Sequence, residues 1–174
     1  MIYYCHYFTI IVCEFADVET FWKYWSFIPR PSEILFDGTT RKEVEGRTID
    51  AYSVFKKGIR PEWEDPNNKN GGLFKCRKTM KSEELDMYWE NLVLGLIGET
   101  IDDGNEICGC RIVDKSKKGG GSGNRAIFRF EVWTRSGNEE HVTPLKLRIN
   151  DILVDGDSKS KGRPLDFEFG KHSE

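Results

Sequence analysis

Ile59-Arg60-Pro61-Glu62-Trp63-Glu64-Asp65-Pro66, followed by Asn67-Asn68-Lys69-Asn70-Gly71-Gly72, lies between two strand-like runs, Ala51–Phe55 and Leu73–Arg77. Pro61 and Pro66 fix their own φ and push Arg60 and Asp65 out of helical space. The asparagines and glycines that follow are turn formers. The segment reads as a stiff, irregular loop joining two strands. With other hairpin-like connections further along, it favours an antiparallel α+β arrangement over an alternating parallel one. Loops held by rigid flanks often carry function, and an indole set on one invites a chemical reading.

An indole face attracts a flat, electron-poor or cationic ring. A carboxylate only accepts hydrogen bonds, and it can take two parallel N–H donors. A guanine edge offers such a pair at N1 and the exocyclic amine, and methylation at N7 makes that ring cationic. Trp63 with Glu64 therefore suits a 7-methylguanine. The plainer alternative has Trp63 plugging the core and the acids solvated.

Length and composition narrow the classes. At 174 residues the chain is most simply one domain over 1–174, large enough for a real core. A net charge of −3 argues against broad, non-specific binding along nucleic acid backbone, yet leaves recognition of one nucleotide end open. Five cysteines without paired spacing suggest reduced thiols in an intracellular protein. Cys108-Gly109-Cys110 has no second cysteine or histidine pair, so no metal is expected. Met1 to Val12 is apolar but lacks a basic flank and is too short to span a bilayer; it reads as a strand at Phe8–Val12.

Along the chain, Asp17 is the expected N-cap of a helix in which Val18, Phe21, Trp22 and Trp25 form an aromatic stripe of the kind usually buried. Glu33 to Asp50 looks like a polar surface loop. A second helix is expected from an N-cap at Ser82, with Leu85, Trp89, Leu92, Val93 and Leu96 on one side. Strand patterns follow at Ile107–Val113 and Arg125–Trp133, joined by a glycine-rich hairpin loop. Glu139–Val154 reads as a third helix and Leu165–Phe169 as a last strand. Residues 111–135 hold seven cations against two carboxylates, a local +5 suited to a phosphate chain. A solvated hairpin would look the same.

These parts, in this order, resemble the cap-binding translation initiation factor 4E family. The likeness runs from about Phe15 to Phe169. It rests on Val18–Trp22, Phe55–Asp65, Asn68–Gly72, Trp89–Glu99 and Ile107–Gly109. The Trp89-Glu90-Asn91-Leu92 version, with Glu106–Gly109, is most similar to the divergent 4E homologous-protein branch. The resemblance implies a single cap-binding domain with a strongly curved antiparallel sheet and three long helices on its convex face. The family's usual N-terminal extension and last C-terminal segment are expected to be missing from it. It implies that Trp63 stacks on the base, Glu64 reads the guanine edge and Trp133 packs against the N7-methyl group. Tyr4 would supply the second aromatic slice by a one-residue slip from Cys5. Lys115, Lys117 and Arg129, or Arg125 if the hairpin insertion shifts the register, would hold the phosphates. Val18, Trp22, Leu94, Gly98 and Glu99 would take an amphipathic helix from a 4G-type scaffold factor or a 4E-binding repressor.

The function so implied is binding of the 5′ 7-methylguanosine cap of messenger RNA and recruitment of a scaffold for translation initiation. The protein would be a cytoplasmic, or also nuclear, monomer that uses no cofactor, membrane or catalytic residue. One alternative is a cap-binding repressor that engages 4G poorly. Another is a cap or nucleotide hydrolase that holds magnesium at Glu64-Asp65 and Asp102-Asp103.

Overall fold

The computed structural model describes residues 2–5, 8–37, 40, 43–44, 46–103, 105–116, 126–154 and 164–172. Its main sheet comprises β1 (Ile2–Cys5), β2 (Phe8–Ile11), β5 (Ala51–Phe55), β6 (Gly72–Thr79), β7 (Ile107–Asp114), β8 (Ile127–Thr134) and β9 (Glu168–Lys171). They run in the order β2-β1-β5-β7-β8-β6-β9, and every neighbouring pair is antiparallel. A small separate hairpin pairs β3 (Glu43–Val44) with β4 (Arg47–Thr48). The helices are α1 (Val18–Trp25), α2 (Pro31–Ile34), α3 (Ser82–Ile97) and α4 (Glu139–Val154). Of the three helices expected, α3 and α4 have 16 residues each and α1 has 8, while the four-residue α2 is an addition.

Because strand side chains alternate between faces, one set of sheet residues is committed to the helices. Tyr52, Val54, Phe74, Cys76, Cys110, Ile112, Phe128, Phe130 and Val132 form that side of the core. Leu85, Tyr88, Trp89, Leu92 and Val93 of α3 meet them, with Leu145, Ile149 and Leu153 of α4 behind. Tyr52 and Trp89 meet edge to face at 6.2 Å, and Tyr88 and Phe130 do so at 6.3 Å. The Tyr52 hydroxyl, carried into this core, donates to the Pro29 carbonyl at 2.8 Å. Helices thus cover one face of the sheet and leave the other open.

Several local expectations need correction. The amino-terminal apolar run is two strands, folded back with Ile2 opposite Ile11 and Cys5 opposite Phe8. Asp17 caps α1, accepting from the Thr20 N–H at 2.7 Å, but the stripe is mostly not core. Phe21 is buried and Trp25 half-buried, whereas Val18 and Trp22 stand 59% and 45% exposed. The cap position of α3 is Lys81 rather than Ser82; its N–H donates to the Glu84 carboxylate at 3.2 Å. Within the supposed surface loop, Ile34, Leu35, Phe36 and Ile49 are buried, an apolar content too sparse and irregular to show as periodicity. At the carboxyl end Leu165 and Phe167 plug the core as irregular chain, so β9 starts three residues later than expected.

Gly109 of β7 lies opposite Phe55 of β5. A Cβ there would lie 2.5 Å from the Val54 carbonyl oxygen and overlap the Phe55 ring. The neighbour is backbone and cannot yield. Gly109→Ala should therefore cost about 1–3 kcal/mol, as overpacked sites do, measured by urea denaturation against wild type.

Candidate functional site

The face opposite the helices is organised in rows set by the strand registers. Phe55, Gly109, Trp133 and Leu73 lie side by side in one row. Ser53, Arg111, Glu131 and Lys75 form the next, and Ala51, Val113, Arg129 and Arg77 the third. A register shift between Ile107 and Gly109 turns Cys108 towards this side as well. Ile59, Cys108 and Trp133 are buried together there, with Phe55 and Leu73 packed against them.

The loop that follows β5 docks on this cluster. Its shape comes from two side chains that the sequence reading did not single out. Asp65 is 3% exposed, and its carboxylate accepts the N–H groups of Arg60 at 3.0 Å and Asn67 at 2.9 Å. The Asn67 side-chain amide adds a third bond at 3.0 Å. Burial alone would raise the Asp65 pKa; these donors and the Arg60 charge outweigh it, holding the carboxyl below its ordinary value. Asn68, fully buried, donates from its amide to the carbonyls of Arg60 at 2.7 Å and Glu62 at 2.8 Å. At the exit, a Cβ on Gly71 would collide with the Thr134 carbonyl, so only glycine lets the chain re-enter the sheet. Asn-rich turn chemistry was visible in the sequence. Which acid faces inward was not.

With that scaffold fixed, Trp63 stands 58% exposed on the loop and Glu64 is exposed beside it. Among the described residues Glu64 holds no hydrogen-bond or ion-pair partner. The core-plug alternative for Trp63 is thereby excluded. Trp133 is different, being 5% exposed. Its indole N–H donates to the buried Glu131 carboxylate at 3.0 Å, Phe55 meets it edge to face at 5.7 Å, and the His172 ring lies 4.7 Å away. Burial lowers the His172 pKa, with Glu131 partly opposing, so the ring against Trp133 is neutral at pH 7. Trp133 offers a ligand only a small exposed area.

The cations gather around Glu131, which is 1% exposed. Arg129 is ion-paired to it, and Arg111 sits opposite it on β7. Lys115 begins the turn out of β7, its N–H donating to Ile127 at 2.8 Å. Burial pulls its ammonium pKa down, and Arg129, Arg111 and Arg77 pull the same way, with Glu131 opposing. Positive charge is therefore concentrated where Lys115 and Arg129 meet. Arg111 was missed as a site residue; its place in a period-two strand was the available signal. Lys117 and Arg125 lie outside the described residues.

The structure places the backbone of Tyr4 in β1. In β1 Tyr4 pairs with Ala51, which puts it in the Arg129 row, four residues along the sheet from Phe55. At about 3.4 Å per residue that is roughly 13 Å from the row of Trp133. Three of the four carboxylates considered for magnesium have other duties. Asp65 binds its own loop, Asp102 accepts the Ile107 N–H at 2.7 Å and Asp103 pairs with Arg148 at 3.2 Å. Among the described residues no three His, Cys, Asp or Glu side chains cluster as metal ligands.

On the far side, Val18 and Trp22 are four residues apart on one side of α1, both exposed. Leu94 is half-buried near the end of α3, where Gly98 and Glu99 are exposed.

The model of the family described as eukaryotic initiation factor 4E matches residues 4–174. The chain belongs to that family. Its sequence is 34% identical to eukaryotic translation initiation factor 4E-2 of Schizosaccharomyces pombe over 94% of this chain and 57% of that protein. It is 32% identical to factor 4E1 of Drosophila melanogaster over 92% of this chain and 53% of that protein. The chain thus spans about half to two thirds of the length of the curated relatives it matches. The fold is shared with C. elegans eIF4E-3, solved with the 4E-binding protein Mextli. The TM-score is 0.70 at 22% identity, covering 94% of this chain and 80% of that one. Ascaris suum eIF4E-3, solved with an m2,2,7G cap, gives 0.62 at 27% identity over 95% and 81%.

The clamp at Asp65 can be tested alone. Asp65→Ala strands the Arg60 and Asn67 donors, a loss of about 1–3 kcal/mol, and amide exchange at both should quicken while β8 is unaffected. For the pH dependence, the native carboxyl has the lower pKa. Its contribution is complete above the unfolded value near 3.8 and fades as pH falls below it. Amide shifts of Arg60 and Asn67 should accordingly stay constant down to about pH 4 and move only in more acid solution.

Proposed function

We propose that this chain binds the 5′ 7-methylguanosine cap of messenger RNA and presents it to a protein partner in translation initiation. The observation that carries the reading is Trp63, an indole 58% exposed on a loop clamped by two buried side chains, with the Glu64 carboxylate, unpartnered among the described residues, adjacent. Holding the loop beforehand removes an ordering cost that binding would otherwise meet. The cationic base stacks on Trp63 and its N1 and N2 donors reach Glu64. Trp133, oriented by Glu131, closes the end of the site with its small exposed area. Lys115 and Arg129 take the phosphates, aided by Arg111. Lys117 and Arg125 are assigned there on sequence alone. The m2,2,7G cap in the Ascaris suum relative supports this ligand class. Tyr4 has no role in this assignment, because its backbone pairs with Ala51, in the Arg129 row.

The partner surface is the opposite side, where Val18 and Trp22 on α1 and Leu94, Gly98 and Glu99 at the end of α3 suit an amphipathic helix of a 4G-type scaffold or a 4E-binding repressor. The protein acts by binding, not catalysis: three of the four acids considered for magnesium are engaged in loop and strand contacts. A cytoplasmic setting goes with this role.

Tryptophan fluorescence during titration with 7-methyl-GTP, with GTP as control, tests the reading. Trp63→Ala should weaken binding by about 1–3 kcal/mol, roughly 5- to 150-fold. Glu64→Gln should lose about 1.5–3 kcal/mol of charge-assisted hydrogen bonding. Tyr4→Ala should change affinity less than about twofold, since about 13 Å of strand separates it from the Trp133 row. Equal responses to 7-methyl-GTP and GTP in wild type would sink the cap assignment. A Tyr4→Ala loss as large as that of Trp63→Ala would overturn the single-slice geometry.

A further inference from the structure

We propose that Lys75 and Arg77 of β6, with the cleft beside them, hold the phosphodiester backbone of the single-stranded RNA that follows the cap nucleotide. This rests on the cap reading, which supplies the end from which such a strand would leave. Lys75 and Arg77 are exposed, two residues apart, and point from the same sheet face as Trp133. Among the described residues neither forms an ion pair. Arg77 lies directly opposite Arg129, and Lys75, one row along, lies between Glu131 of β8 and Glu168 of β9.

Beside them opens a cleft of about 590 Å³, lined by Lys75, Cys76, Arg77 and Lys78 of β6, by Arg129, and by Leu165, Asp166 and Glu168, the last lying directly across from Lys75 in the β6–β9 pair. Asp166 and Glu168 repel a polyanion, which biases it towards Arg77 and Arg129. Two residues of strand separate the cations, about 7 Å. That is comparable to the step between successive phosphates of an extended strand. From the base at the Trp63 end the bridging phosphates reach Lys115 and Arg129; the downstream backbone then crosses from β8 to Arg77 on β6 and turns back one row to Lys75.

An acidic peptide would also meet these two cations. The continuity with Arg129, already assigned to phosphate, favours RNA. The overall −3 does not oppose this, because at physiological ionic strength fields are screened within about 8 Å and the local charge decides.

The test compares 7-methyl-GTP, a capped decanucleotide and its uncapped counterpart, for wild type and for Lys75→Gln/Arg77→Gln, across a salt series. Wild type should bind the capped RNA about tenfold tighter than 7-methyl-GTP at low salt, as added phosphate contacts provide. The double variant should lose that gain over its own 7-methyl-GTP affinity, and flatten the log–log salt slope for capped RNA, relative to that for 7-methyl-GTP, by about 1.4, near 0.7 per contact. No gain from RNA length in wild type, or a gain that survives in the variant, overturns the proposal. If 7-methyl-GTP fails to bind but uncapped RNA binds through Lys75 and Arg77, the cap reading falls and the RNA track stands. If neither binds, both fall.

Discussion

Strand β8 sends Phe128, Phe130 and Val132 to the helices and Arg129, Glu131 and Trp133 to the open face, and it pairs with β6 along its whole length and with β7 along nearly all of it. A slip of one residue would put three charged or polar-tipped groups into the apolar core and three apolar groups into water. Register is therefore fixed by the core and inherited by the site. The row in which Trp133 sits decides that Gly109 and Leu73 flank it, and the row of Arg129 decides that Arg77 does. Chemistry on the open face is placed by packing on the covered one.

Two buried carboxylates complete that placement. Glu131 lies in the middle of the sheet and Asp65 inside the loop, each almost wholly removed from water. A buried charge left unpaired costs several kcal/mol, so each is tolerable only because of its partners. Glu131 has the Trp133 indole N–H and Arg129; Asp65 has the Arg60 and Asn67 N–H groups. The consequence in both cases is orientation. Glu131 fixes the plane of an indole and the direction of a guanidinium, while Asp65 fixes the backbone from which Trp63 and Glu64 project.

Much of this was legible in the sequence, and the rest failed for identifiable reasons. Ala51–Phe55 and Glu139–Val154 match their expected bounds because period and turn signals agree there. Trp63 and Glu64 were readable as a pair, since two prolines and a run of turn formers leave the indole little core to enter. Asp65 was not, because alternation says nothing about which side chain an irregular loop turns inward. Glu131 was hidden by its neighbours, reading as one charge in a basic hairpin when its register makes it the centre of a cation cluster. Tyr4 was placed by counting along the chain, and strand pairing adds that its backbone lies opposite Ala51. Val18 and Trp22 had the spacing of core residues. Eight residues of α1 bury Phe21 fully and Trp25 in part, and leave Trp22 and Tyr24 to solvent.

On the proposed reading, the Tyr4 register changes the balance of forces at the site. A base held between two aromatic faces can rely on stacking, worth about 1–3 kcal/mol per face. With Trp63 as the one exposed indole face on the loop, more of the recognition must come from charge: the cationic ring against the indole, the Glu64 carboxylate, and Lys115 with Arg129 at the phosphates. Those terms are screened by salt, whereas stacking is not. The sheet answers by crowding its cations, and that crowding opposes itself. Burial first, and then Arg129, Arg111 and Arg77, make the Lys115 ammonium harder to keep charged, with Glu131 opposing. A polyanion arriving there relieves repulsion among the cations as well as gaining attraction to each. Binding energy of that kind is stored in the unliganded protein, and Glu131, by holding one carboxylate among the cations, limits how much repulsion the fold has to carry.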